Sequence, residues 1–294
     1  MTGPEPADFS RYAAALLALA LSTGAMLRPV AAEDRPVALP RGAHYVALGS
    51  SFTAGPGITS VEPGTPARCT RSTDNYARQL ARRRGLDLTD ASCSGATTRH
   101  LLEPWNELPA QLDALRPDTR LVTVTIGGND VGYVSLLGGL SCQALSSAAS
   151  ANPCRIPERP TEAEFDALAD RLALIVEGVR HRSPDALLVF VDYVTLLPPS
   201  GSCAGAPLAE ADAVLVRDVA AKLERVTAHA ARQGNAWLLP ASRLTREHHA
   251  CAADPWVNGF IAGPVPGAPV FVAYHPRLAA MAAIAAELDR VLPR

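Results

Sequence analysis

From Ala43 onward the chain alternates strand-like and helix-like segments, and that alternation leaves few architectures open to it. His44–Leu48, Leu86–Ala91, Leu121–Ile126, Ala186–Val194 and Ala236–Pro240 read as five strands, all but the second mostly apolar. Helical stretches separate and follow them. Asp74–Arg84 is closed by Gly85, Leu108–Leu115 stops before Pro117, and the long Leu208–Gln233 ends at Gly234. Pro276–Leu292 closes the chain, with a proline suited to the first turn. Thr161-Glu162-Ala163-Glu164 reads as a capping box, and the helix it opens runs to about Ser183, because Pro184 disfavours helix at the residue before it. The unbroken apolar character of Ala186–Val194 suits a strand covered on both faces. The expected fold is α/β: a flavodoxin-like parallel sheet of about five strands in a three-layer α/β/α sandwich.

The N-terminus carries a different signal. Arg11 precedes the apolar stretch from Tyr12 to Leu27, and Val30-Ala31-Ala32 offers small residues for cleavage after Ala32. Residues 1–32 therefore read as a secretory signal peptide, with an uncleaved membrane anchor as the alternative. Residues 33–42 read as a linker and 43–294 as the folded domain. The expected location is secreted, with membrane contact only through an uncleaved N-terminal segment. Six cysteines without a CxxC suit such a setting, and parity alone does not choose among their pairings. Ser135–Pro160, which holds Cys142 and Cys154, reads as a surface excursion.

A net charge of −2 gives no footprint for nucleic acid. Arg82-Arg83-Arg84 reads as a solvated helix end, where cations suit the helix dipole. His248-His249 is the one histidine cluster, but adjacent residues on one helix do not share a face, so no metal site and no cofactor are expected. A monomer is expected.

Chemistry concentrates where the strand-like runs end. Gly49-Ser50-Ser51-Phe52 follows the first run, Cys93-Ser94-Gly95-Ala96-Thr97-Thr98 the second, and Gly127-Gly128-Asn129-Asp130 the third. His275 stands just before the last helix. A serine is a candidate nucleophile and a histidine its base, while an asparagine amide and the Gly95 backbone amide are candidate donors to an oxyanion. Asp130 is expected to brace its loop by accepting backbone amides.

These blocks resemble the SGNH (GDSL-type) hydrolase superfamily, whose Ser, Gly, Asn and His occur in this chain order. The resemblance is strongest to the secreted actinobacterial lipase and esterase branch and extends to Arg71-Ser72-Thr73-Asp74-Asn75-Tyr76. It implies hydrolysis of small-molecule or lipid carboxylic esters without a metal. By the same resemblance Ser51 and His275 would be catalytic, and the oxyanion hole would be the Ser51 and Gly95 amides with the Asn129 side chain. It also implies the disulfides Cys69–Cys93, Cys142–Cys154 and Cys203–Cys251. Two positions depart from the family pattern. Ser50 stands where the first block usually has Asp, and Val272 stands three residues before the histidine, where the acid usually lies. The resemblance then implies a Ser–His dyad in which the Val272 carbonyl orients the His275 ring, with Asp254 as the fallback acid. A carbohydrate O-acetyl esterase, a phospholipase and a silent binding protein on the same scaffold are the alternatives.

Overall fold

The computed structural model describes residues 38–146, 154–260 and 272–294; the leader read over 1–32 lies outside them. Of the linker read over 33–42, residues 38–42 are described, and Leu39 is buried in the core. Five strands form one parallel sheet: β1 (His44–Gly49), β2 (Asp87–Asp90), β3 (Thr119–Thr125), β4 (Leu187–Val191) and β5 (Trp237–Leu239). Their order is β2-β1-β3-β4-β5. Every residue of β1 and all but Arg120 of β3 are buried, as a sheet covered on both faces requires.

Helices α1 (Ser51–Ala54), α2 (Tyr76–Arg84), α3 (Thr98–Leu102) and α4 (Tyr133–Leu145) follow the first three strands. Helices α5 (Glu162–Arg182), α6 (Glu210–Gln233), α7 (Ala241–Leu244) and α8 (Leu278–Val291) complete the layers. Two groups pack separately: α2 against α8, and α3 and α6 against α5. The Thr161 hydroxyl accepts the Glu164 amide while the Glu164 carboxylate accepts the Thr161 amide at 2.7 Å, so both arms of the capping box form.

Four readings of the sequence change. Leu108–Leu115 holds only a 3-10 turn, Gln111–Ala114. The excursion read over Ser135–Pro160 begins inside α4, which buries Leu136, Leu137 and Leu140 at helical spacing despite Gly138 and Gly139. A Cβ at Gly139 would meet the Arg155 carbonyl at 2.6 Å, so the returning chain runs close against the helix there. Pro276 lies ahead of α8, in an antiparallel bridge with Val257. Arg84 is not a solvated helix end. Its side chain is buried, pairs with Asp289 at 2.7 Å and donates to the Leu292 and Pro293 carbonyls at 2.9 and 2.7 Å, capping the end of α8.

Three disulfides are formed: Cys69–Cys93, Cys142–Cys154 and Cys203–Cys251. Among the described residues no helix is long and apolar enough to cross a membrane. Cys203–Cys251 closes the widest interval, 48 residues, and restricts the unfolded chain most. Replacing both of its cysteines by alanine is expected to lower unfolding stability by about 4 kcal/mol, measured by urea denaturation. Removing Cys142–Cys154, which spans 12 residues, should cost less.

Candidate active site

A parallel sheet in this order reverses its winding between β1 and β3, and ligands of such sheets bind outside the carboxyl ends of the strands at that switch point. Ser51 follows β1 and Asn129 follows β3, so the two loops lie side by side. Their alignment is fixed by backbone pairing: Gly49 stands opposite Thr125, and the Ser50 amide donates to the Thr125 carbonyl at 3.0 Å. Gly49 is required at this crossing. Its φ is +139°, and a Cβ would meet the Thr125 carbonyl and the Thr53 hydroxyl. The buried Gln111 side chain grips the same residue twice, accepting its amide at 2.7 Å and donating to its carbonyl at 3.0 Å. Nothing in the sequence around Gln111 marks it for that task.

His275 reaches this point from the far end of the chain. Its Nε2 lies 2.7 Å from Ser51 Oγ, and both side chains are largely buried. Phe52 packs on the imidazole with ring centroids 4.9 Å apart. The orienting carbonyl is that of Ala273, at 2.9 Å from Nδ1, and not that of Val272. The cause is local. Tyr274 has φ +59°, a left-handed conformation unusual for a bulky residue, and this turn brings the carbonyl two residues back onto the ring. The Val272 carbonyl instead accepts from Asn258 Nδ2 at 3.0 Å. Asn258 fastens the whole turn: its amide donates to the His275 carbonyl at 2.9 Å, its carbonyl accepts the Tyr274 amide, and its Oδ1 accepts from Arg277 Nε. Asp254, the fallback acid, is exposed and engages Trp256 Nε1 at 3.0 Å and the His248 ring at 3.5 Å.

A carbonyl on Nδ1 fixes the proton there and leaves Nε2 bare toward the serine hydroxyl. Burial disfavours the imidazolium and pushes the His275 pKa down to about 4, against a smaller upward pull from the Ala273 carbonyl. The ring is therefore neutral, and a proton acceptor, at neutral pH.

Gly95 follows β2 with φ +83°, and the edge of Trp105 lies 3.4 Å from where its Cβ would be. Among the described residues neither the Ser51 nor the Gly95 amide donates to a backbone carbonyl. Asn129 donates through Nδ2 to the Ala96 carbonyl at 2.9 Å, which leaves the second Nδ2 hydrogen unassigned and ties the Asn129 loop to the Gly95 loop. Asp130 braces that junction, accepting the Thr98 amide at 3.0 Å and hydroxyl and pairing with Arg171 at 3.3 Å. Trp105 is stacked between His100, with ring centroids 4.0 Å apart, and the Arg68 guanidinium, 3.6 Å from its centre. With Leu108 and Pro109 it lines a cavity of about 360 Å³. Among the described residues no group of three or more His, Cys, Asp or Glu side chains converges where a metal ion could sit.

This sheet order, with serine, glycine and asparagine at successive strand ends, defines the class: a three-layer SGNH-type hydrolase. A profile of the GDSL-like lipase/acylhydrolase family matches residues 47–283. Lipase 2 of Streptomyces coelicolor is 32% identical over 229 residues, covering 74% of this chain and 77% of the relative. Among solved structures, the extracellular lipase from Streptomyces rimosus superposes with a TM-score of 0.67 and 25% identity, covering 85% of this chain and 99% of that one. Phospholipase A1 from Streptomyces albidoflavus shares the fold at a TM-score of 0.68 and 24% identity, with the same coverage. The chain belongs to the GDSL-like lipase/acylhydrolase family and is a carboxylic ester hydrolase.

With His275 as the proposed base, which works while unprotonated, the lowered pKa keeps it competent to lower pH. The acid limb of kcat/KM is expected well below the ordinary histidine value of 6.5, toward 4, in initial rates on an acid-stable ester. Stability follows the same sign. Between those pH values the unfolded chain binds the proton and the native state does not, so acidification through this window destabilises the fold.

Proposed function

We propose that the protein is a secreted serine esterase whose acyl-enzyme forms on Ser51, with His275 as the base of a dyad. The contact that carries this reading is Nε2 of His275 at 2.7 Å from Ser51 Oγ, between residues 224 positions apart, with the Nδ1 proton engaged by a backbone carbonyl. Oγ attacks the ester carbonyl carbon as its proton moves to Nε2. Negative charge then collects on the former carbonyl oxygen, and the Ser51 amide, the Gly95 amide and Asn129 Nδ2 donate to it. Collapse of the tetrahedral intermediate breaks the bond to the alcohol, which leaves with the proton held on His275. Water repeats the sequence on the acyl-enzyme and returns the proton to Ser51. A carbonyl orients the ring but stabilises imidazolium less than a carboxylate would, so a modest turnover is expected.

An aliphatic acyl ester suits the surroundings better than an acetylated sugar. Sugar rings stack on open aromatic faces, and Trp105 beside Gly95 has its faces taken by His100 and Arg68. Secretion is supported by three disulfides, which persist in oxidising compartments, and by the leader-like composition of residues 1–32.

Ser51→Ala is expected to abolish hydrolysis of a p-nitrophenyl ester with an unchanged thermal midpoint; retained turnover would overturn the assignment. Asn129→Ala should lower kcat by about 10²–10³-fold, the usual effect of losing one oxyanion donor.

A further inference from the structure

Tyr193 lies just past the carboxyl end of β4 and belongs to none of the four motif blocks. It is buried and touches both halves of the site. Its phenolic oxygen accepts the Gly128 amide at 2.8 Å, immediately before Asn129. Its ring occupies the space a side chain at residue 128 would need, 2.7–2.8 Å from the position of such a Cβ. The ring also packs on Phe52 at 4.6 Å between centroids, and Phe52 in turn packs on His275. The Ser50 side chain lies close to the phenol.

We propose that Tyr193 is a positioning residue: its hydroxyl fixes Gly128, and through Gly128 the placement of the Asn129 amide relative to Ser51. The Gly128 peptide is held on both sides, since its carbonyl accepts the Tyr133 amide at 2.8 Å. On the other flank of Asn129 the restraints are the Ala96 carbonyl and the Asp130–Thr98 contacts. Tyr193 thus joins the Asn129 loop, through Gly128, to Phe52 in α1. Burial pushes its phenol up to about 12, so the hydroxyl keeps its proton while accepting from Gly128. Loss of the hydroxyl leaves the ring and its packing in place but frees the Gly128 amide. A misplacement of well under 1 Å in an oxyanion donor is enough to slow the chemical step.

The inference rests on the reading of Asn129 as an oxyanion donor, and a double-mutant cycle separates the two. Tyr193→Phe, Asn129→Ala and the double variant are compared on p-nitrophenyl butyrate. Each kcat is normalised to active sites titrated with a fluorophosphonate, so that any unfolded fraction drops out. Tyr193→Phe is expected to lower kcat about tenfold with KM unchanged. In the Asn129→Ala background the same substitution is expected to cost nothing further, because the donor it places is gone. An unchanged kcat for Tyr193→Phe, a loss carried by KM alone, or the same tenfold loss with and without Asn129 overturns the positioning role. An Asn129→Ala variant with full kcat would instead remove the oxyanion reading, and the inference with it.

Discussion

The parallel pairing of β1 with β3 is the contact on which the site depends. It places the ends of the two strands level, with Gly49 opposite Thr125, so that the residues continuing past them share one rim. Ser51 and Asn129 are neighbours for that reason alone; 78 positions of sequence separate them. The crossing admits no side chain at residue 49, and Gln111 locks its amide and carbonyl from the 3-10 turn Gln111–Ala114. Ser51, the proposed nucleophile, thus inherits its position from the most buried part of the sheet, where alternative packing costs most.

The proposed base is held by different means. His275 belongs to a loop, and its orientation comes from a left-handed Tyr274, an antiparallel bridge between Val257 and Pro276, and the contacts of Asn258. A bulky residue at positive φ costs of order 1–3 kcal/mol. The Tyr274 hydroxyl, hydrogen-bonded to Ser141 at 2.6 Å inside α4, helps to offset that cost. The absence of a local carboxylate is consistent with a base whose proton affinity is set chiefly by burial.

Much of the sheet was legible because β1, β4 and β5 lie in apolar runs bounded by turn residues, and the capping box at Thr161 marked the start of α5 to the residue. The three strand-end residues and His275 were legible through the order of their motifs. What escaped depended on conformation or distance. Gly138 and Gly139 hid the apolar spacing of α4. A count of three residues back from the histidine led to Val272, since nothing in the composition announces a left-handed Tyr274 that shortens the reach to Ala273. Arg84 reads as a surface cation until Asp289, 205 positions away, comes beside it. Gln111 and Tyr193 act on backbone groups, and backbone groups leave no mark in a sequence.

The Cys203–Cys251 bond has a consequence for where the enzyme is complete. It ties the loop after β4 to the stretch that leads into Asn258, and the Gly205 carbonyl in the same loop accepts the Phe260 amide at 2.8 Å. The clasp around His275 is therefore anchored at its base by a covalent link that forms only under oxidising conditions. Reduction of that bond would remove the anchor and leave the stretch before Asn258 held to the loop after β4 by hydrogen bonds such as Phe260 to Gly205.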